Sequence, residues 1–127
     1  MSEYLLDSNI IIDFLIGRKK AIELLGEIKK IGHFPAISAL CIAEVQLGVK
    51  SGEEEATNKF LESLKVYDLT RAIANQAGEY IREYKSKGIT LSLIGTLIAA
   101  TCTINDLVLV TYNIRHYPIS GLKLWSL

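Results

Sequence analysis

Tyr4-Leu5-Leu6-Asp7-Ser8-Asn9-Ile10-Ile11-Ile12-Asp13-Phe14-Leu15 sets a three-residue apolar run, a polar triplet and a second apolar stretch back to back. The first run suits a strand and not a helix. The residues after the triplet suit a short helix through Leu15, which Gly17 breaks. A strand that feeds directly into a helix is half of a crossover unit. Repeated along the chain, it predicts an α/β protein with a parallel sheet.

The repetition is present downstream. Ala21, Leu24, Leu25, Ile28 and Ile31 keep helical spacing over Lys20 to Ile31, and Gly32 ends that helix. Phe34 to Ile37 is the expected second strand, and Ser38 can cap a helix from Ala39 to Val49. After Ser51-Gly52, Glu53, Glu54 and Glu55 suit the first turn of a helix with the stripe Ala56, Phe60, Leu61 and Leu64. Lys65 to Asp68 is a third strand, followed by Thr70 as a cap and a helix facing inward with Ile73, Ala77, Ile81 and Tyr84. Leu93 to Ile104 predicts a central helix, Asn105-Asp106 a turn, and Leu107 to Val110 a strand buried on both faces. A last strand near Leu122 to Leu124 is expected to close the sheet. Residues 1–127 hold no repeat, low-complexity tract or linker and read as a single domain.

Composition narrows the class. Half of the residues are hydrophobic, and 14 basic residues balance 14 acidic ones, which excludes a disordered chain. Zero net charge gives no global pull toward nucleic acid or membrane, so any such contact must be local. The 18 residues from Gly88 to Asn105 carry no charge, yet eight are Gly, Ser, Thr or Asn, which suits a buried core better than lipid. Cys41 and Cys102 lie in apolar stretches without zinc-finger spacing and read as free buried thiols. With early acids at Asp7 and Asp13 and no signal-peptide pattern, the expected location is cytoplasmic, with no membrane partner.

Three polar residues stand where ligands bind in such sheets, beyond the carboxyl ends of the strands. Asp7 follows the first strand; taken alone it reads as a helix cap, unless Ser8 caps and leaves it free. Glu44 falls at helical spacing with Leu40 and Leu47, which places its carboxylate on an apolar stripe. A buried acid needs a Lys or Arg partner, a proton or a cation. Asn113 follows the fourth strand and, alone, reads as the start of a capped turn over Ile114 to Tyr117. Taken together, Asp7, Glu44 and Asn113 form an oxygen set suited to Mg²⁺ or Mn²⁺. His33 follows a helix-ending glycine, and neither it nor His116 fits a catalytic dyad.

Four segments resemble the motifs of PIN domains: Leu5-Leu6-Asp7-Ser8-Asn9-Ile10-Ile11-Ile12-Asp13, Ile42-Ala43-Glu44-Val45-Gln46-Leu47-Gly48-Val49, Leu97-Ile98-Ala99-Ala100-Thr101, and Leu109-Val110-Thr111-Tyr112-Asn113-Ile114-Arg115-His116-Tyr117. They run in order from residue 5 to residue 117, and the size resembles the toxin ribonucleases of toxin–antitoxin pairs, the VapC type. The resemblance implies a three-layer α/β/α sandwich with a mostly parallel central sheet. It further implies a Mg²⁺- or Mn²⁺-dependent endoribonuclease, an RNA substrate, a homodimer and inhibition by an antitoxin protein. Carried over by position, Asp7, Glu44 and Asn113 are the catalytic and metal-binding residues, and Ser8 and Thr111 support them by hydrogen bonds. Arg18, Lys19, Arg115 and His116 are RNA-contact candidates.

One position departs from the pattern. Where the family has an acid before the third motif, this chain has Gly95. Two carboxylates in place of three weaken the hold on a divalent cation, so the resemblance implies an impaired nuclease. The alternatives are a catalytically inactive PIN-like protein that pairs with an antitoxin, and a phosphoryl-transfer domain using Asp7 as nucleophile. The latter lacks its second acid, since Asn9 stands two residues on.

Overall fold

The computed structural model describes residues 3–125. Four strands, β1 (Tyr4–Leu6), β2 (Pro35–Ser38), β3 (Lys65–Tyr67) and β4 (Val108–Val110), form a parallel sheet in the order β3-β2-β1-β4. Six helices connect and flank them: α1 (Ser8–Leu15), α2 (Lys19–Lys30), α3 (Ala39–Leu47), α4 (Glu54–Glu62), α5 (Arg71–Ser86) and α6 (Leu93–Asn105). The result is the expected α/β/α sandwich. β1 lies between β2 and β4, pairing Leu5 with both Ala36 and Leu109, and all three side chains are fully buried.

The elements form where the residues favour them. Ser38 accepts from the Leu40 N–H and Thr70 from the Ile73 N–H, so α3 and α5 start at the expected caps. The core face of α5 carries Ile73 and Ala77 against Leu97 and Ala100 of α6. α6 is buried from Thr96 to Cys102, but its first turn is not: Leu93 and Ile94 are exposed. Asp106 stops α6 in the left-handed region at φ 54°, and its carboxylate pairs with Lys123.

Several sequence expectations shift. β2 runs from Pro35 to Ser38, which leaves Phe34 exposed outside it. In α4 the buried residues are Thr57 and Leu61, and Ala56 faces out. The expected closing strand near Leu122 to Leu124 is reduced to one bridge, Leu124 to Leu109. The stripe assigned to α3 is also different. Leu47 is 87% exposed, and the helix buries Cys41 and Val45 instead. With apolar side chains on nearly every side of α3, periodicity could not orient it. Among the described residues, no helix is long and apolar enough to cross a membrane.

Candidate functional site

The carboxyl ends of β2, β1 and β4 lie side by side, where Ser38 ends β2, Asp7 follows β1 and Thr111 follows β4. After β1 the Asp7 N–H donates to the Val110 carbonyl at 2.9 Å, which extends the ladder by one bond and fixes the backbone of Asp7. Its side chain is 6% exposed and caps α1, with Oδ1 accepting from the Ser8 N–H at 2.8 Å. Asp7 is therefore the cap itself. Ser8 supports it through the backbone, not by capping in its place.

The second oxygen of Asp7 is held by residues from the other end of the chain. Oδ2 accepts from the Thr111 hydroxyl at 2.8 Å and from the Tyr117 hydroxyl at 2.9 Å. Thr111 follows β4 directly, and its oxygen also accepts from the Asn113 N–H at 3.0 Å. Tyr117 is buried, and burial followed by the nearby Asp7 charge pushes its hydroxyl pKa far up, so it remains a donor.

Glu44 reaches the same place from the middle of α3. One ligand atom each from Asp7, Cys41 and Glu44 lies within 4.8 Å of the others. Glu44 Oε1 is buried and has no hydrogen-bond partner. Nor is it in an ion pair: among the described residues those are Lys19–Glu23, Lys65–Glu3 and Lys123–Asp106. The structural salt bridge that would have explained a half-buried acid is absent there. An unpaired carboxylate oxygen beside a second carboxylate is costly without a cation, so this donor set fits a divalent ion.

A cleft of about 200 Å³ opens onto the pair, lined by Asp7, Glu44, Gly95, Asn113, His116 and Tyr117 among others. Asn113 is exposed at its rim, and its side chain does not cap the turn Ile114–His116. Gly95 is the third residue of α6; its N–H donates to the Ser92 hydroxyl, which caps the helix. Gly95 lines the same cleft as Asp7 and Glu44. Arg18 and Lys19 are exposed where α2 begins and do not line the cleft, and Lys19 pairs loosely with Glu23. Arg115 is exposed beside His116. A larger cavity of about 590 Å³ lies beyond the amino ends of the strands, among Glu3, His33, Phe34 and Lys65, but Glu3 is already held there by Lys65 and Tyr67.

Sequence reasoning missed three residues of this site. Tyr117 was read as the end of a turn, and only its distance in space from Asp7 reveals its role. Cys41 was noted as a buried thiol. It sits behind the carboxylates, and burial, then Asp7 and Glu44, push its thiol pKa far up. Asn9 keeps a buried carbonyl oxygen without a partner beside Thr111.

A parallel sheet with two carboxylates, one after β1 and one from α3, meeting in one cleft at its carboxyl edge defines an α/β domain with an acidic site at its switch point. The chain belongs to the PIN domain family, whose model matches residues 4–122. It is 35% identical over 115 residues to Ribonuclease VapC10 of Mycobacterium tuberculosis, covering 91% of this chain and 86% of that one. Ribonuclease VapC19 of the same species is 34% identical over 115 residues, covering 91% and 92%. Among solved structures, VapBC2 from Rickettsia felis, bound to a DNA fragment from its promoter, superposes with a TM-score of 0.83 at 27% identity over 97% of this chain and 98% of that one. A toxin–antitoxin complex from Klebsiella pneumoniae gives 0.81 at 27% identity over 98% and 97%.

Proposed function

We infer that this chain, acting as one domain over residues 1–127, is the endoribonuclease toxin of a toxin–antitoxin pair. Its relatives are named ribonucleases, and the structural neighbours are toxin–antitoxin assemblies. The partners that follow are an RNA substrate, an antitoxin protein and a second copy of the chain, in the cytoplasm. The phosphoryl-transfer reading of Asp7 has no support in this family match.

The observation that carries the site assignment is Glu44 Oε1, buried and unpartnered within reach of Asp7. Asp7 and Glu44 would hold Mg²⁺ or Mn²⁺, with the Asn113 amide adding a neutral oxygen from the rim. When bound, the cation supplies an activated water and stabilisation of charge on the scissile phosphate. Thr111, Tyr117 and the Ser8 N–H orient Asp7 for that task. His116 lines the cleft and Arg115 stands beside it, both placed to meet phosphate.

Gly95 leaves the site one acid short, so cleavage by this chain is weak. The same glycine favours the second reading, a protein that keeps its antitoxin and dimer contacts without chemistry. Calorimetric titration with Mn²⁺ separates the two. Binding that is lost in Glu44→Gln supports the nuclease, and no binding in the unsubstituted protein leaves the binding-only reading.

A further inference from the structure

We propose that Tyr117 is a positioning residue, which clamps the segment 112–116 onto Asp7 and thereby fixes the site carboxylate and Asn113 relative to each other. The proposal rests on the cation-binding reading above.

The geometry is a closed loop. Thr111 and Tyr117 bracket five residues, and both hydroxyls donate to the same atom, Asp7 Oδ2, at 2.8 and 2.9 Å. Within the bracket, the Asn113 N–H donates to the Thr111 hydroxyl oxygen, the His116 N–H to the Asn113 carbonyl and the Tyr117 N–H to the Ile114 carbonyl. Residues 113–116 are exposed, so little packing holds them. Tyr117 is 6% exposed and carries the far end of the segment into the protein.

Tyr117 also meets the unusual position of the site. Its ring carbon Cε1 lies 3.9 Å from where a β-carbon on Gly95 would be, in ordinary contact. The ring thus forms the wall of the cleft between α6 and Asp7. Its hydroxyl leaves Asp7 Oδ1 with only the Ser8 N–H, so that oxygen keeps free lone-pair capacity. A hydroxyl held on one carboxylate oxygen orients the other, which is how outer partners tune metal ligands.

Tyr117→Phe keeps the ring and deletes only the donor. Two measurements on the full chain test the proposal: Mn²⁺ affinity by calorimetry, and amide hydrogen exchange across 113–116 without metal. The expected result is roughly 10-fold weaker Mn²⁺ binding, faster exchange at 113–116, and unchanged exchange in β1 and α6. A Tyr117→Phe protein that binds Mn²⁺ as tightly as the unsubstituted chain overturns the positioning role and leaves the cation site standing. If the unsubstituted chain binds no Mn²⁺, the cation-binding reading fails, and the clamp is judged by exchange alone: unchanged protection at 113–116 overturns it.

Discussion

The hydroxyl of Ser92 stands 2.7 Å from the point that a β-carbon on Gly95 would occupy. A side chain at 95 therefore competes with the cap of α6, since that hydroxyl accepts the Gly95 N–H at 3.2 Å. A helix start favours an acid through its dipole. The structure adds a cost, because Ser92 must rotate away.

Gly95→Asp is the direct test of the missing acid. Losing the cap costs about 1 kcal/mol, part of which the new carboxylate recovers at the helix N-terminus. The metal-free variant should melt roughly 2–6 °C lower by calorimetry, and Mn²⁺ should restore the loss by binding the folded state. RNA cleavage should rise, vanish with EDTA and vanish again when Asp7→Asn is added. Strong metal-dependent cleavage by the unsubstituted chain would refute the reading, as would a folded Gly95→Asp protein that binds no metal.

The two acids should respond differently to amide substitution. Asp7 accepts three hydrogen bonds, so Asp7→Asn exchanges one acceptor oxygen for an NH₂ group facing donors and should cost roughly 2–3 kcal/mol. Glu44 Oε1 accepts none, and its charge faces that of Asp7. Glu44→Gln should leave metal-free stability unchanged or raise it by on the order of 1 kcal/mol, while abolishing Mn²⁺ binding. Urea melts of both variants decide this; equal destabilisation would mean that Glu44 has a structural partner after all.

Alkaline pH should weaken the fold through the buried thiols. Burial, with a smaller contribution from Asp7, raises Cys102 from 9.0 to about 12, and Cys41 is raised as well. The unfolded thiols ionise first, so the unfolded state binds fewer protons and stability falls as pH rises through the window from 9 to 12. The slope of urea midpoint against pH above 9 should be shallower in Cys102→Ala. Iodoacetamide at pH 8 should modify neither thiol until denaturant is added.

RNA contact should show in the salt dependence. His116 lines the cleft, Arg115 is its neighbour, and Arg18 with Lys19 lies outside it. If Arg115 meets one phosphate, Arg115→Ala should reduce the slope of log binding constant against log salt by about 0.7, the single-strand value. Arg18→Ala and Lys19→Ala should change it less. The reverse order in filter binding would move the RNA path to the start of α2.

The fold was legible because its information is local. A short apolar run bounded by polar residues favours a strand, and the spacing of Ile73, Ala77, Ile81 and Tyr84 favours a helix face. Asp7 was legible from its place after the first strand, Glu44 as an acid in an apolar helix, and position 95 only through the family resemblance. Tyr117 was not, since nothing near it in sequence distinguishes a tyrosine bonded to a carboxylate 110 positions away from one ending a surface turn. α3 was mis-oriented for a related reason: Leu40, Ile42 and Leu47 look as apolar as Cys41 and Val45, and only the neighbouring elements choose between them. The last strand failed because Leu122 to Leu124 is apolar enough for pairing but bonds β4 at a single bridge.

The bonds from Thr111 and Tyr117 to Asp7 span 104 and 110 positions of the sequence. During translation, Asp7 is therefore made 104 residues before Thr111 and 110 before Tyr117. Until those two residues emerge, Asp7 lacks two of the three bonds that hold its carboxylate. The carboxylate is thus fully held only after Tyr117 has left the ribosome.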